Sequence, residues 1–191
     1  MKLYHKLLIA ITLVIGTTLI LAPTIHAMQD WDGEYFTYGS ALNETQLKET
    51  EELIGVPKNE NIRRIIVNSD DYYKFTGKHT KDSSLYSSVI IIKTKKGSGV
   101  NVYINTPENI TQIEDHQYLN AALTSGLTDA NIIVGSPIKV TGESALVGVY
   151  KALDEAGVNV NEQATKVASE ELSIVNEISQ ESSTDSNFDS K

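Results

Sequence analysis

Ser144 is the residue whose neighbours come closest to those of a nucleophile. It stands in Gly142-Glu143-Ser144-Ala145-Leu146, at a strand-to-helix turn, where a G-x-S-x-G elbow places its serine. Leu146 replaces the second glycine, and its bulk crowds the sharp turn that the motif requires. A serine hydrolase also needs a histidine to take the hydroxyl proton. After residue 27 the chain offers only His79, in a polar loop, and His116, at a helix start. The plainer reading is that Thr141 and Ser144 cap a helix, so no catalytic residue is assigned; a small extracellular hydrolase using Ser144 with His79 or His116 stands as the alternative.

The same turn offers a second chemistry. Helix-start N–H groups beside Gly142 and the hydroxyls of Thr141 and Ser144 suit a phosphate or carboxylate, and open sheets bind ligands at the carboxyl ends of strands. Glu143 competes, since its charge already complements the helix dipole. Thr141, Gly142 and Ser144 are therefore the candidate ligand-binding residues, in a 135–144 turn that would take an anion or a cation.

Metal and cofactor chemistry find less support. Asp30-Trp31-Asp32-Gly33-Glu34 has the look of a calcium loop, but its glycine comes fourth and position twelve is Ala41, where that loop wants glycine sixth and glutamate twelfth. The two histidines are 37 residues apart without an acid at ligand spacing. Gly97-Ser98-Gly99 is too short for a phosphate-binding loop. With no cysteine in the chain, a thiolate zinc site, an iron–sulfur cluster and a cysteine nucleophile are excluded. No metal and no cofactor are assigned. Tyr103, between Asn101 and Asn105 on the polar side of a strand, reads as a cross-strand partner in preference to a binding residue.

These residues need elements to hold them. Residues 28–39 mix aromatics, acids and glycines without a period and read as a flexible leader. Asn43 with Gln46 makes a capping box for a helix to about Ile54, ended by Gly55 and Pro57. Ile62 to Val67 is a strand by β-branched content, and Ser69-Asp70-Asp71 starts a short helix that stops at Gly77. Val89-Ile90-Ile91-Ile92 is an unbroken apolar run, and Val100, Val102 and Ile104 alternate with polar residues. Joined by five residues, 95–99, the two segments predict an antiparallel hairpin. A helix over 115–125 with Leu119, Ala122 and Leu123 inward precedes a strand at Ile132-Ile133-Val134. Glu143 starts a helix with Leu146, Val149, Tyr150 and Leu153 on one stripe and Ala145, Gly148, Ala152 and Ala156 on a small-residue side. A last helix over 161–178 would turn Ala164, Val167, Ala168, Val175 and Ile178 inward. The order α-β-α-β-β-α-β-α-α predicts an α/β (mixed α+β) domain over 40–178. It would hold one mixed sheet of four to five strands, one antiparallel hairpin included, with helices packed on it. The remainder, 179–191, reads as a disordered acidic tail.

The chain has 191 residues, with 16 lysines and arginines against 25 acids. The net charge of −9 excludes the basic surface that nucleic acid requires. Lys2 and Lys6 precede an apolar run over 7–21, and Pro23-Thr24-Ile25-His26-Ala27 follows: the pattern of a secretory signal over 1–27. The run is shorter than the roughly 20 residues of a membrane-spanning helix. An uncleaved signal would retain the protein at the cell surface. Cleavage after Ala27 leaves 14 basic against 25 acidic side chains, net −11, and no later segment to span a membrane. A stable exported domain without disulfides must be held by its core.

Several strings carry a resemblance. They are Ile90-Ile91-Ile92, then 95–102 (KKGSGVNV), 118–126 (YLNAALTSG), Ala130-Asn131-Ile132, and 137–148 (PIKVTGESALVG). In this order they resemble the YpuA-like secreted proteins of Gram-positive bacteria, domain-of-unknown-function family 1002, over residues 39–178. The resemblance implies an exported protein with this α/β domain and supplies no activity, cofactor or site residue. The function expected is that of a secreted or cell-surface binding or structural module of the bacterial envelope, with an envelope or protein partner.

Overall fold

A computed structural model describes residues 33–58 and 61–185, with side chains as far as residue 175. The expected signal over 1–27, the start of the leader and residues 186–191 lie outside the described residues. Five strands form one mixed sheet, β1 (Glu34–Gly39), β2 (Ile62–Val67), β3 (Ser88–Lys93), β4 (Val100–Ile104) and β5 (Ala130–Gly135), in the order β2-β1-β3-β5-β4. Around it pack α1 (Glu44–Leu53), α2 (Ser69–Thr76), α3 (Asp115–Thr124), α4 (Glu143–Glu155) and α5 (Glu162–Asp185). The expected mixed sheet with helices packed on it is thus the fold.

Two strand–helix–strand units make the halves of the sheet. β1-α1-β2 and β4-α3-β5 each return to a parallel neighbour. β3 lies between the halves, antiparallel to both β1 and β5, which is why its apolar run is unbroken: a central strand buries both faces. On one face Tyr35, Val89, Ile91, Ile132 and Val134 meet α2, α3 and α4 in the main core. On the other, Phe36, Ile62 and Ile90 pack with Ile54 and Val56 at the end of α1.

Three expectations are corrected. Residues 34–39 are no leader but an inner strand; Tyr35, Phe36 and Thr37 are all buried, so β1 shows none of the alternation that marks a half-covered strand. β3 and β4 do not form a hairpin, because β5 lies between them. The chain after β3 is tied to the entrance of β5, where Thr94 N–H donates to the Asp129 carbonyl (3.1 Å) and Gly99 N–H to the Asp129 carboxylate (3.0 Å). The loop therefore arches across two strand spacings, about 10 Å. Finally, the helix expected to end at 178 continues to Asp185, so the polar tail does not begin at 179.

Two helices also turn a different face inward. In α3 the buried residues are Tyr118, Ala121 and Ala122, while Leu123 is exposed. In α5 they are Thr165 and Ser169, with Leu172 partly buried, while Val167 and Val175 face out. Thr165 and Ser169 are small enough to let the backbone of α5 approach α2, and the Lys78 ammonium bonds the Ser169 carbonyl at 3.1 Å. By contrast α4 buries both its large stripe and its small-residue side.

Candidate functional site

The turn that enters α4 is built from the inside. Gly142 has a φ of 101° and no room for a side chain: a Cβ there would lie 2.6 Å from the Tyr118 hydroxyl and 2.8 Å from Ile110 Cγ2. That hydroxyl donates to the Gly142 carbonyl at 3.0 Å. Gly142 offers no side chain to cap α4, and the acceptor comes instead from the segment entering β3. Ser87 Oγ accepts the N–H of Ala145 at 2.9 Å, the bond that an N-cap serine normally makes to the third helical residue.

Ser144 completes the same network. Its hydroxyl donates to the Ser87 carbonyl at 3.0 Å and lies 2.6 Å from Ser87 Oγ. With the Ser144 proton on that carbonyl, Ser87 donates to Ser144, and each hydroxyl has both a donor and an acceptor. Ser144 is 5% exposed. Neither histidine joins it: the His79 ring stacks on Tyr73, and His116 Nδ1 is 3.3 Å from a Glu114 carboxylate oxygen. Ser144 is thus placed at the turn where a nucleophile would stand, with its proton directed at a backbone carbonyl.

Thr141 and Glu143 satisfy each other across the first turn. The Thr141 hydroxyl accepts from Glu143 N–H at 3.3 Å and lies 3.2 Å from Glu143 Oε2, to which it donates. The Tyr72 hydroxyl also donates to this carboxylate; burial, reinforced by the Glu143 charge, holds the Tyr72 phenol well above its ordinary range. Burial does the same to Tyr118, again with Glu143 as the lesser cause. The three candidate residues, Thr141, Gly142 and Ser144, are therefore brought together, and the carboxylate nearest to them belongs to the chain itself. Among the described residues no three histidine, aspartate or glutamate side chains cluster as metal ligands would, and no helix is long and apolar enough to cross a membrane.

Ser87 is what sequence reading missed. Ser87 lies 57 residues from its partner, a separation with no local signature. Two concave surfaces were missed as well. The larger, about 450 Å³, runs between α3, α4 and α5 over Ala121, Leu146, Tyr150 and Leu172. The smaller, about 260 Å³, runs along β4 from Val100 to Tyr103, walled by Asp115, His116 and Leu119 of α3. Both are bounded by α3, whose inward face periodicity placed differently.

Residues 38–189 match the family described as "Protein of unknown function (DUF1002)". The chain is also similar to "Uncharacterized protein YpuA" of Bacillus subtilis (strain 168), 31% identical over 175 residues, which cover 87% of this chain. The chain spans 58% of the length of that relative. No solved structure matches the chain. The matched region takes in every strand but the first part of β1, together with all five helices, and on that extent the chain belongs to the DUF1002 family.

Proposed function

We infer that the protein is an exported, non-enzymatic binding module of the bacterial envelope. Export rests on the basic, apolar and small-residue succession over 1–27. The observation that carries the non-enzymatic half is the commitment of Ser144: its proton goes to the Ser87 carbonyl at 3.0 Å, not to a base. A hydrolytic serine must give that proton to a general base, usually a histidine, as it attacks. In this chain the pair of hydroxyls instead holds the start of α4 against the segment entering β3.

The experiment compares full-length protein and Ser144→Ala on chromogenic carboxylic esters, phosphoesters, a casein peptide mixture and peptidoglycan. The reading predicts turnover by neither protein, and a loss of roughly 1 kcal/mol of unfolding free energy in the variant, the worth of an ordinary buried hydrogen bond. Turnover by the wild type that Ser144→Ala abolishes, with folding intact, would establish the hydrolase instead.

A further inference from the structure

The sheet ends at β4, and that edge is built differently from the opposite one. β2, the other edge, carries Arg63 and Arg64 among its six residues, the kind of charge with which natural edge strands resist pairing. Val100-Asn101-Val102-Tyr103-Ile104 carries no charge and no proline. Its outward groups can be identified. Asn105 N–H donates to the Val134 carbonyl and the Gly99 carbonyl accepts from Ala130 N–H, so residues 99, 101, 103 and 105 bond β5. With the period of two, the N–H and C=O groups of Val100, Val102 and Ile104 point away from the sheet. Beside them lies the groove of about 260 Å³ between β4 and α3.

We propose that the outer edge of β4 takes up an extended, lysine- or arginine-bearing peptide segment as a sixth strand, seated in the groove between β4 and α3. This rests on the reading of the protein as a binding module and names its site and partner chemistry. The backbone of an added strand would meet the outward groups of Val100, Val102 and Ile104, while alternate side chains enter the groove. One wall supplies the apolar contact of Leu119. The rim is acidic: Asp115 lines the groove, and Glu114 and Asp115 each leave about three-quarters of the side chain in water. His116 lines the groove beside Asp115, with its Nδ1 3.3 Å from a Glu114 carboxylate oxygen. Lys95 and Lys96 lie in the loop before β4 and outside the lining. A cationic side chain therefore complements the wall. A second copy does not: pairing β4 with β4 would bring two such acidic helix starts together on chains of net charge −9 each.

The test uses full-length protein and a displayed library of random octapeptides. Enriched peptides are synthesised and titrated against the protein while backbone amide resonances are followed. Each is also made with N-methyl groups on alternate residues, in both registers. The proposal predicts peptides with at least one lysine or arginine, the largest shifts at Val100, Val102 and Ile104, and a loss of tenfold or more in affinity for one methylation register only. Equal loss in both registers, shifts confined to the α3–α4–α5 groove, or no enrichment would overturn it. So would concentration-dependent shifts of the β4 amides without peptide, which would assign the edge to a second copy. None of these failures produces turnover, so they are distinct from failure of the non-enzymatic reading.

Discussion

Gly148 shows how much a single absent side chain decides. It lies on the small-residue side of α4, and a Cβ there would come within 2.2 Å of Thr37 Oγ1 and 3.1 Å of Val89 Cγ1. Thr37 is fully buried on β1, and its hydroxyl has no hydrogen-bond partner among the described residues. The close seat of α4 on β1 and β3 is therefore fixed by the missing methyl group. Gly148→Ala should cost about 1–3 kcal/mol by overpacking, although alanine favours a helix by about 1 kcal/mol over glycine. Denaturant unfolding checks this, and an unchanged or raised midpoint would show that the contact is loose. The small-residue stripe was legible in the sequence, because glycine and alanine recur at helical spacing. What it faced was not, since Thr37 lies in a stretch with no period.

At the scale of elements, phenols buried between helices tie stability to alkaline pH. Burial pushes Tyr150, on α4 against Phe75 of α2, up to about 12. Tyr72 on α2 and Tyr118 on α3 are raised for the same first reason and then by Glu143. An unfolded tyrosine ionises near 10. Raised folded values mean that the native state holds the proton longer, so the stabilisation is complete below about pH 10 and is lost as pH rises through the folded values. The melting temperature should fall steeply between about pH 10 and 12, and Tyr150→Phe should shallow that fall. Equal slopes in variant and wild type would contradict it. Local signals located these elements well where capping was involved: Asn43 and Gln46 make the expected box, and Gly77 ends α2 in a left-handed conformation. For α2 the cap is Asn68, with Asp71 as its partner, one residue earlier than expected. Helix faces were less legible because α3 and α5 bury Ala121, Thr165 and Ser169 in place of larger apolar residues; close approach, not side-chain size, determines those contacts.

For the whole molecule, the order of strands is the feature from which the binding surface follows. Strand content was readable from Val89 to Ile92 and from the alternation of Val100, Val102 and Ile104. Strand pairing was not. Five residues with two glycines are the usual sign of a hairpin; here the loop is tied instead to the distant Asp129, which accepts the Gly99 N–H and is held by it below the usual carboxylate range. The observed order leaves β4 outermost, with the α3 wall beside it.

Amide hydrogen exchange along residues 99–105 tests that arrangement without any ligand. With β5 on one side and open solvent on the other, Asn101, Tyr103 and Asn105 should exchange slowly while Val100, Val102 and Ile104 exchange near the rate of unstructured chain. Uniform protection from 100 to 104 would mean that both sides of β4 are paired, and the edge on which the binding account stands would not exist.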